Sequence, residues 1–344
     1  MVILLGVITR RSVYFTALKS VEIREEPLSE PGLGEAVVQT LLSAISPGTE
    51  LLVYQGLYPE GLAIDETIDG LKDPFGYPLK YGYSTVGRVI ALGPGVDPAW
   101  QGRLVIAFNP HESHFIAPLA SLIPLPEGMT PETAVFLPNM ETAVNFVMDG
   151  KPLIGERVVV LGQGIVGLLT TALLAGFPLE CLVTLDRYAL RRRASLELGV
   201  RASLDPGEAG AQDQLHQLLA EGADLCYELT GSPAALDQAI DITGFDGRVI
   251  IGSWYGQKRL SLDLGGRFHR SRIRLVSSQV STLAPELTGR WSKGRRFDLA
   301  WQMLRRVEPA RWITHRFALP DAAQAYQLID QHPDRSIQVV LTYP

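Results

Sequence analysis

A two-domain α/β fold, one domain of short strands and one built on a doubly wound parallel sheet, is predicted by three observations. The chain has 344 residues, 46% of them apolar and 20% charged, which suits two globular domains with cores of their own. Up to about residue 125, short β-like runs are broken by Gly and Pro; this rhythm reads as a small all-β domain with turns. Beyond about 140, strand-like runs alternate with helical ones, which implies crossover helices on a parallel sheet.

The expected strands of the first part are Ala36 to Leu42, Val86 to Leu92, Leu104 to Phe108 and His114 to Pro118. The run Val2 to Ile8 is apolar but too short to span a bilayer or act as a secretory signal, and reads as a strand or an extended start. Tyr58 to Tyr81 is long, aromatic and rich in Gly and Pro, so it reads as a surface loop near a site. The second part predicts strand 157–161, helix 165–176, strand 181–185, helix 188–198, strand Asp224 to Glu228, helix 233–242 and strand Arg248 to Gly252. A helix over 298–306 and a strand over Ile337 to Thr342 follow.

The β-branched run Val158-Val159-Val160-Leu161 leads into Gly162-Gln163-Gly164-Ile165-Val166-Gly167. In this Gly-x-Gly-x-x-Gly spacing, Gly162 makes the tight turn, Gly164 lets the backbone approach a pyrophosphate, and Gly167 lets helix and strand pack closely. The helix N-terminus, with Ile165 and Val166 in its first turn, offers N–H groups and a positive dipole end to that anion. Asp186 ends the next apolar run, 19 residues beyond Gly167. It reads either as the acceptor for an adenosine ribose or as the N-cap of the following helix. A carboxylate there favours NAD, since it repels a 2′-phosphate. Arg187 and Arg191-Arg192-Arg193 leave NADP open, because they could pair with a phosphate or form a solvated helix face.

The net charge of −6 and the lack of a concentrated basic block argue against nucleic acid as the main partner, and no segment reads as a membrane span. The two cysteines, Cys181 and Cys226, read as small core residues rather than a disulfide or ligands, which suits a reducing cytoplasm. His111, Glu112 and His114 superficially resemble a metal-ligand cluster, but the segment reads as a turn.

On four motifs the chain resembles the medium-chain dehydrogenase/reductase superfamily. They are Ser46 to Gly56, Tyr81 to Val89, the glycine loop Val158 to Gly167, and Ile313 to Leu319 with the helix after it. The resemblance implies a GroES-like β domain from 1–139 and 283–344, a Rossmann domain over 140–282, a homodimer and a small-molecule substrate. It also implies that Thr142 packs on a nicotinamide, that Thr230 lies by the adenosine, and that Gly252 and Ser253 flank the carboxamide. Phe108, Ser253 and Trp254 are expected to line the substrate pocket, with His111 at its rim.

The departures from that family bear on mechanism. Where its zinc-dependent members carry their first Cys and their His ligand, this chain has Pro47 and Tyr83; the later Cys position falls near Pro138, Asn139 and Glu141. Pro47 has no side-chain ligand atom and Tyr83 is a poor one, while a catalytic zinc needs three N, S or O ligands. We therefore expect no zinc. Thr49 matches the hydroxyl that begins the family's proton relay. Thr49 and Tyr83 are expected to hydrogen-bond the reacting oxygen, with His111 as proton exchanger; Tyr83 also reads as a packing residue in the vacated metal hole. The Tyr at the His position is similar to the bacteriochlorophyllide hydroxyethyl dehydrogenase branch. The reading is a zinc-independent, NAD(P)-dependent oxidoreductase of an alcohol/ketone pair, with a quinone or enone reductase or a non-catalytic NAD(P)H-binding protein as alternatives.

Overall fold

The computed structural model describes residues 8–59 and 75–343. The run Val2 to Val7 and most of the expected loop Tyr58 to Tyr81 lie outside these residues. The chain divides into two compact units, one comprising Met1–Pro138, Ile313–His332 and Gln338–Pro344, the other Asn139–Trp312 and Pro333–Ile337. The chain thus returns to the first unit at Ile313, and segment 283–312 packs with the second. Among the described residues no helix is long and apolar enough to cross a membrane.

The first unit contributes β1 (Thr9–Ala17), β2 (Ser20–Pro27), β3 (Glu35–Ala44), β4 (Leu79–Lys80), β5 (Thr85–Leu92), β6 (Leu104–Ala107), β7 (His114–Pro118) and β8 (Ile123–Pro124). The second holds β9 (Arg157–Leu161), β10 (Cys181–Leu185), β11 (Ala202–Leu204), β12 (Ala223–Glu228), β13 (Thr243–Ile251) and β14 (Arg274–Ser277), after which β15 (Ile313–Ala318) and β16 (Gln338–Thr342) rejoin the first.

In the first unit, β2-β1-β4 form one sheet and β15-β16-β3-β5-β6-β8 another, with β7 also pairing β3. The β1–β2 hairpin is absent from the sequence reading. Its turn uses Lys19 at φ 55, a left-handed position usually flagged by Gly or Asn. One core gathers Phe15, Ile45, Tyr54, Tyr58, Tyr81, Tyr326 and Leu341, with the partly buried Tyr83 packed against it.

In the second unit the sheet order is β11-β10-β9-β12-β13-β14, and every pairing is parallel. This is the doubly wound order, and its direction reverses between β9 and β12, where ligands bind at the carboxyl ends of strands. Val158, Val159 and Val160 are fully buried because β9 is central and covered on both faces, which is why its sequence is a continuous apolar run. Helices Ile165–Leu174, Ala189–Leu196 and Pro233–Ile242 occur as expected, and the expected 298–306 helix extends over Lys293–Val307. Helix Leu137–Gly150 is not anticipated, because its buried positions include Asn139, Glu141 and Asn145, which break an apolar stripe.

Candidate active site

The glycine loop joins β9 to helix Ile165–Leu174. Gly162 has φ +94, and a Cβ there would lie 2.8 Å from the Leu229 carbonyl oxygen. A Cβ on Gly167 would lie 1.9 Å from the Gly162 carbonyl oxygen, so strand end and helix start touch through bare backbone. Gly164, the helix N-cap, differs: its φ is −63, and the nearest atom to an added Cβ is the Arg191 Nη1 at 3.8 Å. Nothing in the protein requires that glycine, so the open space above it suits the close approach of a ligand backbone. Ile165, Val166 and Gly167 begin the helix, where N–H groups lack intrahelical acceptors.

Asp186 follows β10 and is almost fully buried. Its Oδ2 accepts the Gln163 N–H at 2.7 Å and its Oδ1 the Tyr188 N–H at 2.8 Å. The carboxylate is thereby pinned to the glycine loop, and its two oxygens keep further acceptor positions. It is not the helix N-cap, which is Tyr188. Arg187 is exposed. The three following arginines do not share one solvated face: Arg191 donates to the Ser336 and Pro333 carbonyls and Arg192 pairs with Asp205 at 2.8 Å.

At the ends of β12 and β13 lies a carboxylate missed in the sequence. Glu228 is fully buried and accepts the Thr230 N–H (2.7 Å), the Thr230 hydroxyl, the Gly231 N–H (3.1 Å) and the Tyr255 hydroxyl (2.8 Å). Burial, with Glu228 adding, pushes the Tyr255 phenol far above its ordinary range. Ser253 Oγ accepts the Gly231 N–H at 2.8 Å, so Thr230 and Ser253 brace the same turn. Gly252 has a packing reason to be glycine: a Cβ would lie 2.4 Å from the Phe146 ring. Trp254 is 42% exposed, and Thr142 and Phe108 are half-buried.

In the first unit, three hydroxyls converge. Ser46 and Thr49 precede helix Glu50–Tyr54, and Tyr83 lies just before β5. The Tyr83 phenol donates to Ser46 Oγ and lies 3.3 Å from Thr49 Oγ1. All three are half-buried.

His111 corrects an expectation. It is fully buried rather than at a pocket rim. Its segment threads between two strands: Val13 N–H donates to the His111 carbonyl at 2.9 Å, and Thr40 N–H to the Ser113 carbonyl at 2.9 Å. The ring fills the space that a Gly82 side chain would need, since a Cβ there would lie 2.7 Å from it. Its Nδ1 lies 2.7 Å from Ser43 Oγ and its Nε2 3.0 Å from Glu50 Oε2. This is the spacing of a serine–histidine–carboxylate triad, yet all three groups are fully buried, so no substrate reaches them. His111 therefore does not stand at the solvent-facing position expected of a proton exchanger.

The remaining ligand candidates are engaged separately. Glu141 pairs with the fully buried Arg296 at 2.8 Å, and burial outweighs that guanidinium in pushing the Glu141 carboxyl above its ordinary range. Ser113 Oγ lies 3.1 Å from His114 Nδ1. Among the described residues no three His, Cys, Asp or Glu side chains gather as a metal site.

The second unit thus carries a parallel sheet of doubly wound order with a bare glycine loop, and the first a half-buried hydroxyl cluster. The family model described as zinc-binding dehydrogenase matches residues 166–293. The chain is 22% identical to a zinc-type alcohol dehydrogenase-like protein of Escherichia coli (strain K12), covering 98% of this chain and 99% of that protein. It is 23% identical to the D-guloside 3-dehydrogenase of the same organism, over 90% of this chain and 93% of the relative. A solved structure described as a short chain alcohol dehydrogenase from E. coli CFT073, complexed with NADH, superposes with a TM-score of 0.78 at 18% identity, covering 98% of this chain and 100% of that one. Over nearly its whole length the chain is thus similar to alcohol dehydrogenase-like proteins, and residues 166–293 match the zinc-binding dehydrogenase family model.

Proposed function

We propose that the chain is a zinc-independent oxidoreductase acting on an alcohol/ketone pair with NAD. The observation that carries this reading is the contact of Tyr83, Thr49 and Ser46 hydroxyls where the resemblance puts metal ligands. The donor set does not fit zinc: Pro47 offers no ligand atom, His111 and Glu50 hold each other in the core, and Glu141 is held by Arg296. No step is therefore routed through a metal.

The residues fit a dinucleotide. Gly164 leaves room for its pyrophosphate, the first turn from Ile165 offers N–H donors, and Asp186 retains acceptors for a ribose, which favours NAD over its 2′-phosphorylated form. The bound dinucleotide supplies or accepts the hydride. The linked hydroxyls of Thr49, Tyr83 and Ser46 polarise the substrate oxygen and hold the proton it exchanges, which is the work a Lewis acid does in the zinc enzymes. Phe108 and Trp254 are the proposed apolar contacts of the substrate. A cytoplasmic homodimer belongs to the same reading; light scattering on the purified chain tests the dimer.

Fluorescence titration with NADH and NADPH tests the cofactor reading: we expect tighter binding of NADH, and a preference for NADPH overturns the role of Asp186. Tyr83→Phe should lower turnover about 10²-fold with thermal stability little changed. Unchanged turnover would reduce Tyr83 to a packing residue.

A further inference from the structure

Ser46 is held by its backbone on both sides. Its carbonyl accepts the Thr49 N–H at 3.2 Å and the Glu50 N–H at 2.9 Å, and its own N–H donates to Glu50 Oε1 at 2.8 Å. Glu50 is fully buried and is itself fixed by His111 and by the hydroxyl of Tyr326. Two buried side chains from distant parts of the chain thus set the position of one half-buried serine.

The direction of the hydroxyl contacts follows from counting protons. The Tyr83 phenol has one proton and gives it to Ser46 Oγ. Thr49 must then be the donor in its 3.3 Å contact with the phenol oxygen. The order runs Thr49 to Tyr83 to Ser46, and among the described residues the Ser46 hydroxyl proton has no acceptor. Sequence reading assigned the chemistry to Thr49 and Tyr83, yet the order makes Ser46 the last donor.

We infer that Ser46 is a catalytic residue, the hydroxyl that protonates the carbonyl oxygen during ketone reduction. This rests on the alcohol/ketone reading above. As the carbonyl carbon takes the hydride, Ser46 gives its proton to the oxygen, Tyr83 restores Ser46, Thr49 restores Tyr83, and water restores Thr49. The ketone is reduced to the alcohol and the reduced nicotinamide is oxidised. In the other direction Ser46 takes the alcohol proton and passes it back through Tyr83. Glu50, which touches neither substrate nor cofactor, is a positioning residue.

The test compares wild type, Ser46→Ala and Ser46→Thr in NADH-dependent reduction of acetoin, cyclohexanone and acetophenone. It adds the titration of Tyr83 followed by ¹³Cζ-tyrosine NMR, the resonance being assigned by its loss in Tyr83→Phe. We expect Ser46→Ala to lower kcat about 10²-fold with little change in KM, and Ser46→Thr to recover most of it. The Tyr83 midpoint should shift in Ser46→Ala, because the bond between the two hydroxyls is lost. Unchanged kcat in Ser46→Ala, or an unmoved Tyr83 midpoint in a chain that turns over, overturns the role of Ser46 alone. A wild type that reduces none of the three ketones takes down the alcohol/ketone reading, and the proton donation with it.

Discussion

The glycine loop and the hydroxyl cluster carry the two halves of the proposed reaction, and they are specified in opposite ways. Around Gly162 and Gly167 the constraint is backbone against backbone: any side chain would collide with a main-chain carbonyl. Around Ser46, Thr49 and Tyr83 the constraint is side chain against side chain, supported by the buried Glu50 and His111. A backbone collision admits one residue type and so leaves a mark in the sequence. A hydroxyl contact is built from common residues whose meeting depends on the whole fold.

The largest effect that sharpens this contrast is expected at Gly167. Gly167→Ala drives a methyl to 1.9 Å from the Gly162 oxygen and should cost at least about 3 kcal/mol, read as a fall in the thermal midpoint and loss of NADH binding. A fold that tolerates it would break the claim that backbone contact fixes the loop. Next comes the buried pair in the second unit. Arg296→Met leaves the Glu141 carboxyl buried without its cation, at about 3–5 kcal/mol. The double variant Arg296→Met with Glu141→Leu should recover much of this in chemical denaturation, and additive losses would contradict the pairing.

Gly164 is the discriminating case within one loop. Its φ suits any residue and its surroundings are open, so Gly164→Ala should change stability by no more than about 1 kcal/mol. NADH affinity should nonetheless drop about tenfold or more; unchanged affinity would remove the pyrophosphate from that space. The smallest effect is a pH dependence. Burial, reinforced by the Arg11 charge, holds His114 below its ordinary 6.5, so the unfolded chain takes up that proton first. Its contribution is therefore full above pH 6.5 and lost as pH falls from there toward the lowered folded value. His114→Gln should flatten the thermal midpoint's decline on acidification; an unchanged profile would place that decline elsewhere.

Legibility follows the same division. The β9 run, Gly162 and Gly167 could be read because each answers to a backbone geometry with a known spacing. Thr49 and Tyr83 were legible only through resemblance, and Ser46 and Glu228 not at all, since neither lies in a spacing that announces its partners. His111 was misread because its burial comes from its segment bonding to both β1 and β3, which local sequence does not encode. Gly252 also packs against the Phe146 ring and the Leu229 side chain, a constraint its sequence neighbours do not announce. Helix Leu137–Gly150 was missed for its polar buried face, and that face exists to meet Arg296 and Ser278.

The central claim is that hydroxyls do here what a metal does in zinc-type relatives. The most direct test is metal analysis of purified chain alongside NADH-dependent ketone reduction before and after dialysis against a chelator. The account predicts no stoichiometric zinc and turnover that survives the chelator but falls in Tyr83→Phe. Stoichiometric zinc whose removal abolishes turnover, and whose return restores it, would contradict the account.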